Sequence, residues 1–206
     1  MISFLKNKNN WAFLISRLLG PSPLVIILWF VVAIRSGIGF WKAIWVYPII
    51  FIFSIGIPLL ITTYLVATKR VSDIDWSKIE DRNRFLFPIT IAALFILVIL
   101  IYFLTDSTTF HLSLVLAAVI LTTTFVTAVL KYKISAHMVL ASLTFGGINL
   151  YFHLQFLWLY LLLIPIAWAR YILKKHTVDQ LVAGTVLSNG IMLLALLIFG
   201  WPAVPK

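Results

Sequence analysis

The sequence predicts an all-α protein: a polytopic transmembrane helical bundle of about six to seven spans, preceded by an N-terminal interfacial helix. Of 206 residues, 63% are hydrophobic and 11% charged, whereas a soluble domain is roughly half apolar and about a quarter charged. Several apolar runs approach the ~20 residues needed to cross a bilayer. Basic residues collect at the ends of those runs. The chain therefore reads as a single integral membrane domain over 1–206.

The elements follow in order. Residues 1–20 set Lys6, Lys8, Arg17 and Trp11 among apolar side chains, the pattern of an amphipathic interfacial helix. A signal peptide fits less well, because prolines and another long apolar run follow without a small-residue cleavage site. Spans are expected at about 22–36 and 42–67. The long polar stretch at 68–85, "TKRVSDIDWSKIEDRNRF", follows. Further spans are expected at about 86–104, 110–130, 135–153, 155–173 and 178–199. The turn at 105–109 carries good N-cap residues, and Gly146 and Gly147 allow close helix approach.

Parity places the 68–85 loop, "KYKISAH" and "ARYILKKH" on one membrane side, where the N-terminus also falls. Lys and Arg accumulate there, while the other side keeps Arg35, Lys42 and Lys206. The positive-inside rule makes the basic side cytoplasmic. The net charge of +10 thus requires no nucleic acid; it suits membrane flanks and anionic lipid headgroups. The absence of cysteine excludes disulfides and thiolate metal sites, and no metal-ligand spacing is found. Nothing in the sequence sets an oligomeric state.

Two histidines and three basic clusters on one face suit phosphate chemistry. Guanidinium groups bind phosphate oxygens in planar pairs; one histidine can attack phosphorus and another can protonate the leaving oxygen. The same residues also fit a plainer role, since Lys and Arg at helix ends snorkel to the interface.

Spacing adds to this. Arg170, five residues, His176 and then "LVAG" at 181–184 resemble the third motif of the type 2 phosphatidic acid phosphatase family, within the lipid phosphatase–haloperoxidase superfamily. "ISAH" at 134–137 resembles its Pro-Ser-Gly-His motif. "EDRNRFLFP" at 80–88 loosely resembles the first motif, a Lys followed by Arg-Pro. The resemblance covers about 78–190.

It implies a membrane-embedded phosphatase acting on a lipid or polyprenyl phosphate or diphosphate, without cofactor or metal. His176 would be the nucleophile and His137 the acid. Arg170, Arg82, Arg84 and Lys78 would hold the phosphate, with Ser135 and the Ala136 amide adding hydrogen bonds. Ile134, Ala136 and Ala169 depart from the family pattern. Gln180 stands where an Asp orients the nucleophile, and its carbonyl at i+4 could accept an imidazole N–H. Asp179 is the alternative orienting group. "TVDQ" at 177–180 also fits a capping box. An alternative to the enzyme is a non-catalytic binder or transporter of anionic lipids that keeps the basic pocket.

One geometric condition follows. A continuous helix over 170–176 would turn Arg170 and His176 about 240° apart. The site therefore requires a helix break near Lys174 and Lys175, with Thr177 opening the next helix.

Overall fold

A computed structural model of the chain describes residues 7–199 except 36 and 75. The first six residues, with Lys6, the end of the first span at 36, Asp75 and Lys206 lie outside the described residues. Among the described residues the chain is all helix and connecting turn.

In chain order these helices are α1 (Lys8–Leu18), α2 (Pro21–Arg35), α3 (Phe40–Ala67), α4 (Ile79–Leu104), α5 (Ser107–Val129), α6 (Ala136–Tyr151), α7 (Leu157–Ile172) and α8 (Val178–Phe199). Five stretches, Lys8–Arg35, Phe40–Ala67, Ile79–Leu104, Thr109–Val129 and Val178–Ile198, are long and apolar enough to cross a membrane. The protein is thus an integral membrane protein.

α6 and α7 are shorter, at 16 residues each; α6 spans about 24 Å at 1.5 Å per residue, and α7 opens with a 3₁₀ stretch, Leu157–Leu162. α6 tolerates its polar residues because protein surrounds it. Thirteen of its residues are buried, among them Ser142, Thr144 and Asn149, so their side chains meet neighbours rather than hydrocarbon.

The chain divides into two compact units, and among the described residues these are 7–31 with 133–199, and 32–132. In the first unit α6 and α8 run parallel. Gly184 lies against the Ser135 carbonyl, Ser188 Oγ donates to the Val139 carbonyl at 3.0 Å, and Gly146 abuts Met192 further along. A Cβ on Gly184 would sit 3.0 Å from the Ser135 oxygen and 3.2 Å from Met138 Cβ; the small residue lets the two helix starts meet. Leu24, Met138, Ala141, Phe145, Ile166 and Leu181 form the core beneath.

In the second unit α3 and α4 each contain a π-helical stretch, Ile52–Gly56 and Arg82–Leu86. Leu65, Val71 and Trp76 fold the 68–85 loop onto a small core of its own.

Lys69, Lys131 and Lys174 adopt positive φ of 56°, 52° and 53°, just after α3, α5 and α7. Helices commonly end in this left-handed residue, usually glycine. A lysine there places its cation near the negative end of the helix dipole, and the long side chain can reach the headgroup region.

Candidate active site

The candidate site lies in the first unit, at the end where α6 and α8 begin and where α1 and α7 finish. α7 ends in a Schellman arrangement. The Lys175 amide donates to the Arg170 carbonyl at 3.1 Å, and the Lys174 amide to the Tyr171 carbonyl at 2.9 Å. These bonds absorb carbonyls the helix would otherwise leave open and turn the chain sharply between Arg170 and His176. The break falls at Lys174 and Lys175, where the geometric condition requires it. Lys133 Nζ adds a bond to the Lys175 carbonyl at 3.1 Å.

α8 then opens at Thr177, whose carbonyl accepts from the Leu181 amide at 3.2 Å. Gln180 reaches back. Its Oε1 lies 3.0 Å from His176 Nδ1 and 3.4 Å from the Thr177 amide nitrogen, so the shorter contact goes to the imidazole. A carbonyl oxygen only accepts, so Nδ1 carries a proton, and in the neutral ring the lone pair is then on Nε2. Asp179 is exposed in the first turn of α8, where a carboxylate favours the positive end of the helix dipole.

Ser135 precedes α6 as its N-cap, yet its side chain makes no cap bond. Its amide donates weakly to the Gln180 carbonyl at 3.4 Å. Its hydroxyl is fully buried (0% exposed) and has no hydrogen-bond partner. A buried hydroxyl left unpaired costs about 1–3 kcal/mol. Ala136 begins the helix, and first-turn amides have no acceptor within the helix.

His137, next along α6, is 7% exposed; Arg170 is 2% exposed and His176 6%. Arg170 Nη1 donates to Ser16 Oγ at 2.9 Å, and His137 Nε2 lies 3.3 Å from both the hydroxyl and the carbonyl oxygen of Ser16. Ser16 thus joins His137 to Arg170.

Sequence reading missed Ser16. Ala12, Ser16 and Gly20 stand at intervals of four, a small-residue pattern that permits close helix contact, and Ala12 and Ser16 are the buried residues of α1. That spacing was the available signal.

Lys78, Arg82 and Arg84 belong to the second unit. There Arg82 is buried and its Nε donates to the Trp76 carbonyl at 2.7 Å, which commits part of its guanidinium to folding the loop. Arg84 is exposed, with its guanidinium 5.1 Å from the Phe85 ring centre, and Lys78 is exposed. The Ser72 amide and hydroxyl donate to Asp81 Oδ2 at 2.9 and 2.8 Å.

Electrostatics of the first unit favour an anion. Between residues 1–31 and 133–200 the only acidic residue is Asp179, which is exposed. Arg170 and two histidines are buried beside the N-termini of α6 and α8, whose dipoles and open amides attract negative charge. Comparison of the chain with protein-family models, with curated proteins and with solved structures finds no match.

Proposed function

We propose that this integral membrane protein is a lipid phosphatase that works through a phosphohistidine, of the kind the three motifs resemble. The observation that carries this reading is the gathering of His137, Arg170 and unpartnered Ser135 at one end of a bundle where Gln180 fixes the imidazole of His176.

In the first step His176 Nε2 attacks phosphorus. An N–P bond forms, and the bond from phosphorus to the leaving oxygen breaks. His137, entering as the imidazolium, gives its Nε2 proton to the departing lipid alkoxide or, for a diphosphate, the lipid phosphate. Arg170, the Ser135 hydroxyl and the α6 first-turn amides stabilise charge on the equatorial oxygens. In the second step water attacks phosphorus, its proton passes to His137, and the N–P bond breaks to release phosphate and restore His176. Gln180 holds the Nδ1 proton through both steps, though an amide stabilises the transient imidazolium less than a carboxylate.

The substrate is an amphiphile whose phosphate reaches the interface while its tail stays in the bilayer. Phosphatidate, phosphatidylglycerol phosphate and a polyprenyl diphosphate all qualify. The bias of Lys and Arg toward one set of loops supports a cytoplasmic active face.

A second reading is a non-catalytic anionic-lipid binder, favoured by the Gln180 amide in place of a carboxylate. Release of phosphate from these lipids by the purified protein, inhibited by orthovanadate and abolished in His176→Ala, distinguishes the two. Lipid binding without turnover, unchanged in His176→Ala, would leave the binder.

A further inference from the structure

α1 lies outside the three motifs, yet it puts Ser16 between His137 and Arg170. We propose that the C-terminal turn of α1 is a built-in part of the phosphate site, with Ser16 as the positioning residue that holds Arg170 and His137 in working orientation. The catalytic consequence rests on the phosphatase reading; the anion-binding consequence does not.

Three observations converge. First, α1 ends at Leu18, so the Ser16 carbonyl belongs to the last turn, whose carbonyls lack an i+4 amide. It points instead at His137 Nε2, 3.3 Å away. An acceptor at that nitrogen holds a proton there, and from the imidazolium form that proton can pass to the leaving oxygen.

Second, Ser16 Oγ accepts from Arg170 Nη1 at 2.9 Å. Arginine only donates, and a protonated His137 Nε2 cannot accept, so the hydroxyl's own proton is directed elsewhere and can meet a bound phosphate oxygen. A single residue thus offers one acceptor to each of two donors. The negative end of the α1 dipole lies beside both, in a unit with no buried carboxylate among the described residues.

Third, the fit is close. Ser16 is 5% exposed. The turn into α2 passes so near that a Cβ on Gly20 would lie 2.8 Å from the Ser16 carbonyl oxygen and 3.7 Å from His137 Nε2. α1 is also amphipathic in the required sense: Trp11, Phe13 and Leu18 face outward while Ala12 and Ser16 face inward. The helix thus delivers a side chain to the site from its inward face.

A purely packing role for Ser16 makes a different prediction. Ser16→Ala keeps the Cβ and has higher helix propensity, so packing alone would leave anion binding untouched.

The test uses the full-length protein in detergent micelles, with inorganic phosphate and orthovanadate as probes and ligand-dependent thermal unfolding as the readout. Ser16→Ala should bind both anions about tenfold or more weakly, the scale of a lost hydrogen bond to a charged group, and Ser16→Thr, which keeps the hydroxyl, should recover most of that loss. With a lipid phosphate, Ser16→Ala should raise KM by more than it lowers kcat. Wild-type anion affinity in Ser16→Ala would overturn the proposal. Weakened anion binding in a protein without turnover would support it while overturning the phosphatase reading. A wild-type protein that binds neither anion would overturn both.

Discussion

Arg170 Nη1 donates to Ser16 Oγ across 2.9 Å, joining the last turns of two helices 154 residues apart in sequence. The bond accounts for part of the guanidinium's needs in a site where it is only 2% exposed. Arg170→Lys keeps the charge but not the planar fork. It should raise KM for a lipid phosphate roughly tenfold or more, and Arg170→Ala should cost more still. Equal KM values for wild type and both variants would remove Arg170 from phosphate binding.

The orienting partner of His176 gives a prediction with a sign. Gln180 Oε1 lies 3.0 Å from Nδ1, and glutamate is nearly isosteric. Gln180→Glu should raise kcat, because a carboxylate stabilises an imidazolium better than an amide. Gln180→Ala should lower it by about tenfold, the scale of one lost hydrogen bond. A rate-limiting chemical step, checked by single-turnover kinetics, is the condition for reading both numbers. A fall in kcat in Gln180→Glu would contradict this orienting role, since a carboxylate oxygen can accept from both His176 Nδ1 and the Thr177 amide.

His137 should matter in proportion to the leaving group. A proton donated in the transition state contributes typically about 100- to 10,000-fold. His137→Ala should therefore slow hydrolysis of a lipid alkyl phosphate by that order, and slow an aryl phosphate with an acidic phenol much less. Equal slowing of both substrates would assign His137 to binding instead.

The close approach of α6 and α8 gives a stability prediction. A Cβ on Gly184 would sit 3.0 Å from the Ser135 carbonyl oxygen, so Gly184→Val should cost about 1–3 kcal/mol through overpacking and displace the Ser135 hydroxyl. Lys174→Gly should do the opposite at the end of α7, since φ of 53° suits glycine and the change should be neutral or stabilising by up to about 1 kcal/mol. Reversible unfolding in detergent measures both.

These residues also indicate what a single sequence can reveal. Helical spans and the break between Arg170 and His176 were legible because each is a local matter of apolar runs, a lysine pair and an N-cap. The Gln180 contact was legible for the same reason, as residues four apart meet on one helical turn. Ser16 was not, because its role depends on α1 folding against α7, far away in sequence. The small-residue spacing Ala12, Ser16 and Gly20 announced a helix contact without naming its partner. Arg82 shows the same limit: its charge drew attention to phosphate, and its Nε bond to the Trp76 carbonyl is one that only the folded loop reveals.

The central claim is that His176 becomes phosphorylated. The direct measurement exposes the purified full-length protein to a lipid phosphate labelled on phosphorus, quenches into alkali and maps the label. A phosphohistidine survives alkali and is lost in acid. The account predicts an acid-labile label on His176, absent in His176→Ala together with phosphate release. Phosphate release that persists at the wild-type rate in His176→Ala, or a label mapped to another residue, would contradict it.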